Sequence, residues 1–264
     1  MEVERRRVDT FEGTFQALKN EIAKQDPTVL GVVVAVVVVL ITVAFLYLLA
    51  RRKNNKRSVL LMGICDAGKT LLFSRLVHNK FINSFTSIKE NSGVYQLTGR
   101  KSGTLEVVDL PGNDRQRMIF WERFKNQARG LIFVVDSAAF QNELKEVAEF
   151  LYTLLSDCMA SRTKLSVLIT CNKQDAAMAK SSKVIRDKLE KEINTLRVTR
   201  SASLGSTDGS AGSEAFLGAR GKDFGFAQLS PVSVEFAECS AKGNNEEDGQ
   251  ADLNAVEEWI HSIA

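Results

Sequence analysis

Gly63-Ile64-Cys65-Asp66-Ala67-Gly68-Lys69-Thr70 fits the pattern G-x-x-x-x-G-K-[ST]. Ahead of it, Val59-Leu60-Leu61-Met62 reads as a buried strand; behind it, Leu71-Leu72-Phe73-Ser74-Arg75-Leu76-Val77 reads as a helix. A glycine-rich turn between strand and helix gathers backbone N–H groups at the positive end of the helix, which is a cradle for a chain of phosphates. Gly63 and Gly68 take backbone angles that a Cβ disfavours. Lys69 would reach the outer phosphates, and Thr70 would offer its hydroxyl to Mg²⁺. The loop alone does not say which base is bound.

Outward from the loop, apolar strands alternate with helical repeats. Leu105–Asp109, Gly130–Val135 and Ser166–Thr170 read as strands. Leu144, Val147, Ala148, Leu151, Leu154, Leu155 and Met159 recur every three or four residues, as do Leu253, Val256, Ile260 and Ile263. The pattern is α/β: a parallel sheet covered on both faces, with ligands at the carboxyl ends of its strands. Three further motifs fall at such ends. Asp109-Leu110-Pro111-Gly112 is D-x-x-G, whose carboxylate can serve Mg²⁺ and whose glycine amide can sense a terminal phosphate. In Asn172-Lys173-Gln174-Asp175 the carboxylate can accept two hydrogen bonds from the N1–H and N2–H₂ edge of guanine, where adenine offers no matching donors. The Lys173 stem would lie over the base and Asn172 would brace the loop. Cys239-Ser240-Ala241-Lys242, after the run Val232–Glu238, would supply a backbone N–H to the guanine O6.

The N-terminal quarter has a different composition. Residues 29–50, Val29 through Ala50, carry no charge and include Val32-Val33-Val34 and Val36-Val37-Val38-Val39. As a helix they span about 33 Å against a hydrocarbon core of about 30 Å, and they show no polar face. We therefore expect a transmembrane helix over 29–50. Residues 1–28 form a short polar tail with a helical pattern over Phe11–Ala23; Glu2 rather than glycine follows Met1, so the tail does not begin with a myristoylation motif. Arg51, Arg52, Lys53, Lys56 and Arg57 make 51–57 a basic juxtamembrane linker, while only Lys19 and Lys24 lie close before the span. The charge asymmetry places the tail in the lumen or outside and residues 58–264 in the cytosol.

The chain of 264 residues carries a net charge of +3, and the five cations of 51–57 exceed that total. Residues 58–264 are near neutral, which argues against direct nucleic-acid binding and for a membrane partner. The four cysteines form no C-x-x-C pair and read as free thiols, with Cys65 a small packing residue. Neither His78 nor His261 sits in a metal-like or triad-like cluster.

Four motifs in this order resemble the Ras-like GTPase superfamily of P-loop NTPases, and the sequence around the first resembles its Arf/Sar-related branch. GICDAGKT, DLPG, TCNKQD and CSAKG, together with a single N-terminal span, are similar to the β-subunit family of the signal recognition particle receptor. The resemblance implies a Ras-like G domain with a mostly parallel six-stranded sheet behind one transmembrane helix. It implies an endoplasmic reticulum protein with GTP or GDP and Mg²⁺ as ligands. Its partner would be the receptor α subunit, with the ribosome and the translocon as further neighbours.

Carried onto this chain, the nucleotide contacts would be Gly63, Ile64, Cys65, Asp66, Ala67, Gly68, Lys69, Thr70, Leu71, Asp109, Gly112, Asn172, Lys173, Asp175, Ser240, Ala241 and Lys242. Thr70, Asp109 and Thr86 would hold the metal, with Ser87 the alternative to Thr86 as the switch hydroxyl. Lys69, Thr86 and Asn113 would serve the reaction. Asn113 stands where Ras-like enzymes usually carry a water-orienting glutamine, so slow intrinsic hydrolysis is expected. Asp66 replaces a glycine common in Ras proteins; its side chain is expected to turn from the phosphates, which would repel it. An Arf/Sar-type GTPase of vesicle coats and a GTP-binding scaffold with negligible hydrolysis are the competing readings. The segment 199–230, with six Gly and six Ser, reads as a flexible insertion, a mobile loop through about Gly221, whose phenylalanine-containing end returns as an edge strand or packs on the sheet. Phe120, Trp121 and Phe124 read as mostly core.

Overall fold

The computed structural model describes residues 35–45, 58–97, 103–160, 164–204, 217–219, 221–243 and 250–264. The chain divides into two units, Met1–Asn55 and Lys56–Ala264. In the first, residues 35–45 are helical and their side chains are exposed. Among the described residues no helix is long and apolar enough to cross a membrane. Positions 29–34 and 46–50 of the expected span lie outside the described residues, as do the tail, its Phe11–Ala23 pattern and the basic linker.

The second unit is a six-stranded sheet in the order β2-β3-β1-β4-β5-β6. Its strands are β1 (Ser58–Met62), β2 (Asn91–Leu97), β3 (Gly103–Asp109), β4 (Ala128–Asp136), β5 (Ser166–Asn172) and β6 (Ser233–Glu238). Every neighbouring pair is parallel except β2 with β3, which is antiparallel, as expected for a mostly parallel sheet. Five helices cover it: α1 (Lys69–His78), α2 (Asp114–Phe124), α3 (Phe140–Ala160), α4 (Ser182–Leu204) and α5 (Asn254–Ile263). The expected elements of this unit all form. The sequence patterns did not mark β2 or α2, because NSGVYQL contains three residues with low strand preference and DRQRMIFWERF is mostly polar.

The strands are apolar throughout because both faces are covered. Alternation along β1 sends Val59 and Leu61 to one side and Leu60 and Met62 to the other. Leu60, Met62, Phe133 and Val135 pack with Trp121 and with Val147 and Leu151 of α3. Val59, Leu61, Ile132 and Val134 pack with Leu72 and Phe73 of α1 and with Val256, Trp259 and Ile260 of α5. Each such side chain contributes roughly 1.5–3 kcal/mol of transfer free energy on burial. Register then fixes the site: Leu61 pairs with Asp109, Met62 with Phe133, Asp136 with Asn172, and Cys171 with Glu238. All four motifs therefore emerge along one carboxyl edge.

The insertion is more ordered than its composition suggests. Helix α4 runs into the start of this segment, as far as Leu204. Leu217, Phe224, Phe226 and Leu229 are buried against the α3–α4 side of the core, and Arg197 donates to the carbonyls of Ala219 and Lys222. The phenylalanine-containing end thus returns to the sheet as expected; residues 205–216 and residue 220 lie outside the described set. Phe120 and Trp121 are buried, Phe124 packs against the core, and the Trp121 indole donates to Asp157 at 2.9 Å.

Gly130 on β4 tests the seating of α5. A Cβ built there would stand 2.5 Å from Ile263 Cδ1 and 2.8 Å from the Trp259 ring. Gly130→Val is expected to overpack this seam by about 2 kcal/mol, lowering the melting temperature by roughly 4–8 °C. Calorimetry of the variant beside the parent checks this; an unchanged melting temperature would mean that α5 is seated elsewhere.

Candidate functional site

The phosphate cradle forms where β1 stops. Gly63 has φ +147°, and a Cβ on it would lie 2.3 Å from the Val134 carbonyl oxygen, so the turn can pass beside β4 only as glycine. Gly68, at φ +88°, caps α1 and leaves room for Asn172, whose Nδ2 would otherwise be 2.4 Å from a Cβ. Asp66 adopts the left-handed region at φ 59° with its side chain exposed at the rim of the cavity. That cavity, about 290 Å³, is lined by Cys65, Asp66, Gly68, Lys69, Thr70, Leu71, Gly112, Lys173 and the segment Ser84–Ser87.

Lys69 is buried at the cavity floor and donates to the Ile64 carbonyl at 2.6 Å. Burial pushes its ammonium below the ordinary lysine value; nearby Asp109 opposes that shift. A phosphate oxygen entering the cradle would replace the carbonyl as acceptor. Gly112 crosses directly over this lysine: a Cβ there would sit 2.5 Å from Nζ and 2.9 Å from the Cys65 nitrogen. The D-x-x-G glycine is therefore required by close approach.

Asp109 ends β3 with no exposure at all. Its Oδ2 accepts from Thr70 Oγ1 at 2.8 Å and from Asn91 Nδ2 at 3.0 Å, while Oδ1 is buried without a partner. Burial raises this carboxyl above the usual carboxylate range, and the two donors pull it back. An orphaned buried carboxylate oxygen beside a threonine hydroxyl and a phosphate cradle fits a hard divalent cation, which takes oxygen ligands. Of the two candidate switch hydroxyls, Ser87 Oγ lies 2.9 Å from Thr70 Oγ1. Thr86 lines the same cavity. Among the described residues no cluster of three or more His, Cys, Asp or Glu could hold a metal, so a cation here would depend on hydroxyls, Asp109 and phosphate.

Asn113 stands apart from this floor. It is exposed and caps α2, its Oδ1 accepting from the Arg115 N–H at 3.0 Å.

The base end is built around Asn172. Its Nδ2 donates to the Ala67 carbonyl at 2.9 Å and its Oδ1 accepts from the Ala241 N–H at 3.1 Å. One side chain thus braces the phosphate loop against the C-S-A-K loop, as the sequence implied. It also engages the Ala241 N–H, which in this arrangement is not the donor left for a guanine O6. Asp175 Oδ1 accepts from Ser240 Oγ at 2.5 Å, and that oxygen accepts in turn from the Gly243 N–H at 2.9 Å. The arrangement holds the carboxylate in one orientation, poised to accept from paired N–H groups of a base. Lys242 is exposed, its carbonyl accepting from Arg75 at 3.4 Å.

Four participants had been given no role from the sequence. Asp136, at the end of β4, accepts from Lys173 Nζ at 2.6 Å and from two backbone N–H groups, fixing the end of the Lys173 side chain. Gln174 donates to Ser137 and Lys180, and its N–H to the Cys239 carbonyl. Arg75 of α1 donates to the Ala241 carbonyl at 3.2 Å and stacks over Phe81. Asn91 meets Asp109. An acidic residue closing an apolar strand at the carboxyl edge could have marked Asp136; Asn91 has no such signal. Cys171 and Cys239 are buried thiols held protonated: burial pushes Cys171 up to about 12 and raises Cys239 as well. His78 and His261 make edge-on ring contacts with Phe73 and Tyr95.

Comparison with known proteins agrees with this geometry. The family model for the signal recognition particle receptor beta subunit matches residues 54–233. The human signal recognition particle receptor subunit beta is 50% identical over 255 residues, covering 97% of this chain and 94% of the human one. The solved structure of the mammalian SRP receptor superposes with a TM-score of 0.68 at 48% identity, covering 79% of this chain and all of the other. The bovine ADP-ribosylation factor-like protein 4D is 30% identical, but over 57% of this chain and 75% of its own. The fold is the α/β Ras-like GTPase fold related to the Arf family, and the chain belongs to the signal recognition particle receptor beta subunit family.

Proposed function

We propose that this chain is the membrane-anchored, GTP-binding β subunit of a signal recognition particle receptor, holding the receptor α subunit at the endoplasmic reticulum when GTP is bound. The observation that carries the nucleotide half is the Asp175 carboxylate, oriented by Ser240 and tied through Asn172 to the Lys69 cradle. A guanine edge satisfies both carboxylate oxygens, whereas adenine presents an acceptor to the same group.

In this reading Lys69 binds the β- and γ-phosphates and the Gly112 amide senses the γ-phosphate above it. Thr70, Asp109 and a hydroxyl from Thr86 or Ser87 would hold Mg²⁺, which neutralises phosphate charge when bound. The Ser84–Ser87 segment forms the cavity's outer wall; Phe85 within it and Ile88 just after it are 90% and 74% exposed. Ordering of that segment by the γ-phosphate would present this apolar pair to the α subunit, coupling nucleotide state to assembly. Asn113 caps α2 with the oxygen that a water-orienting residue would need, so hydrolysis without a partner is slow.

The anchor is residues 29–50, with a lumenal tail before it and the basic 51–57 run at the cytosolic face. Eight apolar side chains between Val36 and Phe45 are each 47–63% exposed on their helix, which suits a surface solvated by lipid. The ribosome and the translocon are the further neighbours this placement implies. A reversible Arf/Sar-type cycle fits an uncleaved span poorly.

The test is affinity capture of the full-length chain from detergent-solubilised microsomes. Recovery of the receptor α subunit with a non-hydrolysable GTP analogue, and its loss with GDP, is the expected result. Coat components in its place would favour the Arf/Sar reading. In a single-turnover assay of the same preparation without partner, hydrolysis is expected no faster than the ~10⁻⁴–10⁻³ s⁻¹ of an unassisted Ras protein. Brisk turnover would refute the role given to Asn113.

A further inference from the structure

Asp109 is held by two donors, and only one of them belongs to a motif. Thr70 comes from the phosphate loop. Asn91 comes from the first position of β2, directly opposite Asp109 in the antiparallel ladder. Its Nδ2 donates to Oδ2 at 3.0 Å, the same oxygen that accepts from Thr70 at 2.8 Å. With both donors on Oδ2, Oδ1 is left buried and unpartnered. A buried carboxylate oxygen without a partner costs about 1–3 kcal/mol, so this geometry favours a ligand that supplies one. The ladder fixes the arrangement: residues facing each other across β2 and β3 cannot change places without a shift of register, and Asn91 is the only β2 side chain opposite Asp109.

We infer that Asn91 is a positioning residue of the metal site: by fixing Oδ2 jointly with Thr70 it turns Oδ1 toward a divalent cation bound with the nucleotide. This rests on the nucleotide-binding reading above and adds a residue that none of the motifs contains. Asn91 does not line the cavity; its amide reaches it through the Asp109 carboxylate. It also follows the Ser84–Ser87 wall within one short stretch of chain, so a displacement of that wall transmitted to the start of β2 would release one of the two restraints on Asp109.

The consequence is specific to the metal. Removing a partner that orients a ligand typically weakens metal affinity 10–100-fold. In the full-length chain in detergent, release of a fluorescent GDP analogue is measured across a titration of free Mg²⁺ and again in excess EDTA. Asn91→Ala is expected to raise the Mg²⁺ concentration for half-maximal slowing of release at least about tenfold, with the EDTA rate changed less than about twofold. Asn91→Ser, whose hydroxyl is shorter, is expected to give an intermediate shift, and serves if the alanine variant fails to fold. Half-maximal Mg²⁺ equal to the parent's, or an equal acceleration at every Mg²⁺ concentration including EDTA, would overturn the assignment, the latter marking a merely structural role. A parent chain that holds no guanine nucleotide at all would instead overturn the functional reading on which the assignment rests.

Discussion

The Asn172 side chain joins the two ends of the site. Its amide nitrogen holds the Ala67 carbonyl of the phosphate loop and its oxygen holds the Ala241 N–H of the loop behind the base. The residue is 2% exposed, so neither bond competes with water, and loss of either would strand a buried backbone group. Two loops separated by more than 160 residues of sequence are kept at a fixed distance by a single carboxamide. That distance sets which ligands can engage Lys69 and Asp175 together. Everything peripheral serves the same geometry: Asp136 steadies Lys173, Ser240 steadies Asp175, Arg75 holds the far carbonyl of Ala241, and Asn91 with Thr70 steadies Asp109.

Chemistry and packing were legible in the sequence to different degrees. The motifs were readable because each needs particular residue types at adjacent positions, and adjacent positions are what a sequence displays. The parallel core was readable from runs such as Leu131–Val135 that no half-solvated strand would tolerate. The roles of Asn91 and Arg75 were hidden because they depend on register and on helix facing, which join residues far apart in the chain. Strand β2 was hidden for a related reason: as an edge strand paired on one side, it carries Asn, Ser and Gly that a central strand would not. The insertion shows the opposite error of emphasis. Gly and Ser counts set the expectation for 199–230, yet the burial of Leu217, Phe224, Phe226 and Leu229 decides its second half. Each large apolar side chain gains roughly 1.5–3 kcal/mol on burial, which offsets a large part of the ordering entropy of the small residues between them.

The site also separates binding from catalysis. The parts suited to hold a polyphosphate, Lys69 and Asp109, are buried, Asn172 is buried between the loops, and Gly63 and Gly112 are required by close approach. The position that would orient a water, Asn113, is exposed and caps a helix. A domain so arranged is suited to reporting which nucleotide it holds. The exposed Phe85, on the wall of the same cavity, and Ile88 just after that wall are where such a report would be made.

The central claim is that one braced carboxylate selects guanine while the loop at its other end holds the phosphates. Calorimetric titration of the full-length chain in detergent with GTP and with ATP in the presence of Mg²⁺ tests it most directly. GTP is expected to bind at least about 100-fold more tightly than ATP, the value of two hydrogen bonds to a charged group, with the preference lost in Asp175→Ala. Equal affinity for the two nucleotides, or a preference that survives removal of the Asp175 carboxylate, would contradict it.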